Sequence, residues 1–167
     1  MNIDSAGFER WYRAEHPRVL AALSVVACDP DLAQEVTAEA FARALQRWER
    51  VGEMDSPGGW TYRVALNVLR RRARRAALER RLLPRLAPVA SVQVPAYAVE
   101  VWQVVTGLAP RMRTAVALRY LGGLTEAEVA EVMGIAPGTV AATLHEARRR
   151  LAPMLAPDTS PEGVPHG

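Results

Sequence analysis

Between Leu124 and Leu151 the chain carries start and stop signals for two short helices joined by a tight turn. Thr125, followed three residues later by Glu128, has the pattern of a capping box, in which two orphan amides at a helix start are satisfied reciprocally. Val129, Val132 and Met133 supply an apolar stripe, and Gly134 stands where a left-handed residue ends the helix. Pro137 suits a first helical position, where its missing N–H costs nothing. Val140, Leu144, Ala147 and Leu151 then recur at helical spacing, and Arg148, Arg149 and Arg150 close the second helix. Such a pair is a helix-turn-helix, whose second helix has the size and charge to enter a DNA major groove. Periodicity and turn chemistry by themselves describe an ordinary helical hairpin equally well.

The rest of the chain points to the same fold class. Clean apolar/polar alternation is nearly absent and Ala, Leu, Arg and Glu dominate, so an all-α protein is expected. Phe8, Trp11, Tyr12, Val19, Leu23 and Val26 mark a first helix, with a break expected near Pro17. Asp31 is a candidate N-cap for a second, carried by Leu32, Val36, Ala40, Phe41, Leu45 and Trp48. The turn formers of Val51–Gly59 interrupt it, and Trp60, Val64, Val68 and Leu69 begin a third. Further helices are expected over Val99–Leu108 and from about Pro110 to Leu121. Prolines 84, 88 and 95 read as an extended linker, and four prolines after Leu151 as a disordered tail. The expected organisation is two small helical domains, 1–83 and 99–155, joined by a flexible linker, 84–98, and followed by a tail, 156–167.

The net charge of +3 conceals a strong asymmetry. Residues 1–62 hold 10 acids and 6 arginines, residues 63–85 hold 9 arginines against Glu79 alone, and residues 86–167 hold 7 acids and 6 arginines. Nearly all uncompensated positive charge therefore lies in one segment. That is the footprint of a polyanion partner, although a solvated arginine-rich helix face has the same composition.

Several classes are disfavoured. Cys28 is alone, and His16, His145 and His166 share no metal-ligand spacing, so neither a disulfide framework nor a zinc site is expected. No phosphate-cradling glycine motif or nucleophilic constellation is legible, and no enzymatic activity or cofactor is expected. No apolar run approaches the ~20 residues needed to span a bilayer, which favours a soluble cytoplasmic protein without membrane insertion.

Both halves together resemble the extracytoplasmic-function (ECF) group of bacterial RNA polymerase sigma factors. The resemblance rests on Asp31–Leu45, on Trp60-Thr-Tyr-Arg-Val-Ala-Leu-Asn67, on Leu108-Ala-Pro-Arg-Met-Arg113, on Leu118–Thr125, and on the helix-turn-helix. It implies that the first domain docks on core RNA polymerase through the helix bearing Glu35, Glu39, Phe41 and Arg43, although Phe41 suits a core position as well. It further implies that this domain recognises and melts the promoter −10 element. Melting needs a pocket for an unstacked base and a basic, stacking surface for single strand. Val51–Gly59 lies where the family carries its base-pocket loop, with Trp60, Tyr62, Arg63 and Asn67 beyond it. Arg70, Arg71, Arg74 and Arg75 would neutralise phosphates. The apolar spacing of Trp60 to Val64 and Val68 also fits a core tryptophan.

The second domain would read the −35 element through Thr139, Ala141, Ala142, Thr143, His145, Arg148 and Arg149. Here the chain departs from the family, which commonly presents a Lys-Ser-Arg-like triplet where this sequence has Ala141, Ala142 and Thr143. Alanine cannot make bidentate contacts to guanine, and Ala136 replaces the usual serine N-cap. A weak −35 contact is expected, with an accessory or anti-sigma protein taking over part of this surface. A sigma-like adaptor and a stand-alone helix-turn-helix regulator with reduced promoter reading are the alternative functions.

Overall fold

The computed structural model describes residues 5–82 and 99–155, and no strand occurs among them. The helices are α1 (Ser5–Ala27), α2 (Pro30–Gln46), the single turn α3 (Trp48–Val51), α4 (Pro57–Leu82), α5 (Val99–Thr106), α6 (Pro110–Val116), α7 (Glu126–Met133) and α8 (Pro137–Leu155). A π-helical turn, Ala117–Leu121, prolongs α6. The expected linker, 84–98, and tail, 156–167, lie outside the described residues.

Local chemistry explains most boundaries, with six departures from expectation, two of them that Trp48 opens the separate turn α3 and that α4 begins at Pro57 rather than Trp60. Asp29, not Asp31, caps α2: its Oδ1 accepts from the Leu32 N–H at 3.0 Å, and Pro30 occupies the first turn where no N–H is required. Pro17 does not divide α1, which runs through it as one helix. Leu45 is not on the buried face of α2 but 40% exposed. Helix α8 continues past Leu151 and Pro153 to Leu155. The helix-turn-helix signals, by contrast, act as expected. Thr125 and Glu128 close a reciprocal capping box, Gly134 adopts φ 67°, and Pro137 opens α8.

The two halves share one continuous hydrophobic core. α1 packs against α2, α4, α5, α6 and the π turn, so a single long helix serves both halves. Val19, Leu23, Val36, Tyr62, Leu66, Leu118, Val129, Val140 and Leu144 belong to the same buried cluster. Burying such side chains stabilises the fold by about 1.5–3 kcal/mol each relative to exposure. An aromatic group, Phe8, Trp11, Tyr12, Phe41 and Trp48, closes the outer end of α1 and α2; Phe8 meets Trp48 edge-on at 5.2 Å.

Two glycines in the turn before α7 let the halves approach. A Cβ on Gly122 would lie 2.6 Å from the Leu118 carbonyl oxygen and 2.8 Å from the Tyr62 hydroxyl. Gly123 adopts φ 70°, a left-handed conformation that side chains disfavour.

Candidate nucleic-acid interface

One side of α4 presents a run of exposed positive charge. Arg63, Asn67, Arg70 and Arg74 follow at helical spacing and form one exposed stripe, flanked by exposed Arg71 and Arg75. The opposite side buries Tyr62, Ala65, Leu66 and Leu69. Asn67 Oδ1 accepts a long 3.5 Å contact from Arg70, so its amide is not committed to a buried network. Arg75 is tied to Glu79 at 2.9 Å. Trp60, half-buried against Ala44, Trp48 and Val51, stands at the head of the stripe.

In front of Trp60 lies a cleft of about 660 Å³. Arg50, Met54, Ser56, Trp60 and Arg63 line it from the first half, and Glu128, Glu131 and Val132 of α7 from the second. Ser56 accepts from the Gly59 N–H at 3.1 Å and so caps α4; its hydroxyl donates to Glu128 Oε1 at 2.6 Å. The capping residue of one helix is thus bonded to the capping-box acid of another. That bond, reinforced by the Thr125 N–H, holds the Glu128 carboxyl below its ordinary range. Arg63 pairs with Glu131 at 3.6 Å.

Tyr62 requires correction. Expected to contact DNA, it is fully buried with its hydroxyl unpartnered against Gly122, and burial pushes its phenol well above the ordinary range. The register is the reason: Tyr62 lies on the side of α4 that faces the second half.

The expected polymerase-docking residues divide similarly. Phe41 is 3% exposed, with its ring 4.9 Å from Tyr12 and 5.2 Å from Trp11, and so is a core residue rather than part of an outer face. Glu35 is exposed, while Glu39 and Arg43 are half-buried and paired at 2.5 Å. Arg72, unassigned from the sequence, leaves the arginine block to pair with Glu35 and reaches Glu39 at 3.6 Å. Its place on the α2 side of α4 was open to the same helical-spacing argument that collects the stripe.

On α8, Thr139, Ala142, His145, Arg148 and Arg149 are exposed, whereas Ala141 and Thr143 are half-buried. The Thr143 hydroxyl is spent on the Thr139 carbonyl at 2.7 Å. Glu146 binds Arg150 at 2.9 Å and Arg149 at 3.3 Å, and these partners, Arg150 first, lower its carboxyl. Two of the three consecutive arginines of this helix thus share one carboxylate on the same helix. Sequence reasoning also missed Arg113, which donates to the Thr106 and Leu108 carbonyls at 3.0 and 3.1 Å and to Val26 of α1 at 3.4 Å.

Comparison with known proteins places both halves. Residues 11–79 match the family model for sigma-70 region 2, and residues 98–151 that for sigma-70 region 4. The RNA polymerase sigma-E factor of Streptomyces coelicolor is 29% identical over 147 residues, covering 86% of this chain and 83% of the relative. That of Streptomyces avermitilis is 28% identical over a similar span. Among solved structures, the sigma factor RpoE of Bartonella quintana, crystallised with the anti-sigma factor NepR, superposes with a TM-score of 0.77 over 90% of this chain and 98% of that one, at 19% identity, and so shares the fold. With region 2 and region 4 both present, in order, and sigma-E factors matching over most of their length, the chain belongs to the sigma-70 family of RNA polymerase sigma factors, in its ECF group, and directs transcription initiation.

Proposed function

We propose that the chain docks on core RNA polymerase through the Glu35–Arg43 face of α2 and recognises and melts the promoter −10 element with α4 and the loop before it. Helix α8 adds a weaker −35 contact. The observation that carries this reading is the exposed stripe Arg63, Asn67, Arg70 and Arg74 running away from Trp60 and the cleft. Arginines there neutralise phosphates, Trp60 offers a stacking surface, and the Asn67 amide can hydrogen-bond a base edge. The −35 contact is weaker because Ala141 and Ala142 offer no hydrogen-bonding side chain to a base edge and Glu146 engages two of the arginines of α8. Partners are core polymerase, promoter DNA and a regulatory protein; an anti-sigma factor accompanies the Bartonella structure. A cytoplasmic location follows from those partners, and no described helix is long and apolar enough to cross a membrane.

Reconstituted transcription with core polymerase tests the reading. Initiation at a defined start that is lost in Asn67→Ala supports it. Binding to core without initiation favours the adaptor, and duplex binding without core favours the stand-alone regulator.

A further inference from the structure

Helix α7 meets the face assigned above to the −10 element, and it does so with carboxylates. Glu128 accepts the Ser56 hydroxyl at 2.6 Å, and Glu131, one turn further along, reaches Arg63 at 3.6 Å. Val132 closes the same cleft and approaches Gly59, where a Cβ would lie 4.0 Å from its Cγ2. An acid pair at this spacing presents two anionic groups along one helix edge, as a short run of phosphates would. Ser56 and Arg63, the two groups they engage, are a hydroxyl donor and a guanidinium suited to phosphate oxygens. The contact is supported from behind by the Tyr62–Gly122 approach and by Arg113 on Val26, so it belongs to a packed interface rather than to two wandering side chains.

We infer that Glu128 and Glu131 of α7 act as an intramolecular stand-in for DNA, occupying the loop and the head of the α4 stripe until the two halves separate. The inference rests on the −10 reading of α4. Free protein then binds single-stranded DNA weakly because its own second half competes for the same donors. Displacing α7 frees Ser56 and Arg63 of their carboxylate partners and opens the cleft beside Trp60, and leaves the Thr125–Glu128 capping box intact, since Glu128 caps its own helix in either arrangement.

The test uses the full chain and a fluorescein-labelled, AT-rich single-stranded oligonucleotide, with binding followed by anisotropy and shape by small-angle scattering. Glu128→Gln keeps a residue that can still complete a capping box, and Glu131 is exposed, so neither change should unfold the protein. Glu126→Gln removes the same charge from the same helix at an exposed position with no partner among the described residues. Glu131→Gln is expected to tighten binding about threefold and the double Glu128→Gln/Glu131→Gln variant about tenfold, with a larger radius of gyration, while Glu126→Gln changes affinity by less than about twofold. Equal tightening by Glu126→Gln reduces the effect to net charge and overturns the inference. An expanded double variant that binds no more tightly overturns it too, and counts against the −10 reading as well. If the double variant neither expands nor tightens, while Arg70→Ala/Arg74→Ala still weakens oligonucleotide binding, the inference falls and the −10 reading stands.

Discussion

Helices α4 and α8 both carry a run of arginines in their second halves and both are expected to meet DNA, yet they offer that charge very differently. On α4 four polar residues share one exposed stripe, and among Arg63, Arg70 and Arg74 only Arg63 has a carboxylate partner among the described residues. On α8 a single acid, Glu146, holds two of the three consecutive arginines, and alanine takes one of the outward positions, Ala142. Counting basic residues would rate the two helices as alike in kind. What separates them is where the nearest carboxylate sits, one turn away on the same helix or across the molecule.

The widest gap between the two should appear on removing charge. Arg70→Ala/Arg74→Ala is expected to lower affinity for single-stranded promoter DNA by about tenfold or more and to reduce the slope of log K against log salt by about 1.4. Arg149→Ala should cost duplex affinity less than about threefold. Equal losses in salt-titrated binding isotherms would erase the distinction.

The next test works in reverse. Glu146→Ala frees Arg149 and Arg150, and should raise duplex affinity about threefold without creating sequence preference, since phosphate contacts carry none. A new preference for one −35 sequence, read from competition binding, would mean that α8 was masked rather than poor.

Tyr62 sharpens which side of α4 belongs to the interface. Tyr62→Phe removes a buried, unpartnered hydroxyl and should stabilise the fold by about 1 kcal/mol in a denaturant titration, with DNA binding unchanged. Lost promoter opening in that variant would return the tyrosine to the DNA face.

The smallest effect concerns Glu128, whose carboxyl is depressed by Ser56 and Thr125. A depressed acid contributes stability above its unfolded value and loses it as pH falls through the folded one. Arg63 and Arg50 face the same cleft and favour the charged form, while Glu131, Glu53 and Asp55 oppose it. The difference in stability between the protein and Glu128→Gln should therefore be full above the ordinary value of 4.5 and fade below it, at about 1 kcal/mol or less for so exposed a group.

What the sequence disclosed and what it hid follow from the range of the interactions involved. The Thr125–Glu128 box, Gly134 and Pro137 are set by neighbours three or four residues away, and so is the α4 stripe. Asp29 was missed on the same scale because Pro30 shifts the cap by two positions, a local rule applied to the wrong aspartate. Tyr62, Arg72 and the Ser56–Glu128 bond were hidden for another reason. Each depends on which helix lies opposite, and nothing in the spacing along α4 tells an outer side from one that another half of the molecule will cover. Phe41 stayed ambiguous until Trp11 and Tyr12 could be seen around it.

Gly122 carries a consequence for inheritance. Because any side chain there would collide with the Tyr62 phenol, the turn before α7 and the second turn of α4 must change together. A chimera that takes its second half from a relative with a larger residue at this place would need both a shifted backbone at Leu118 and a smaller side chain in place of Tyr62. Regions that look like interchangeable modules along the chain are, at this contact, a matched pair.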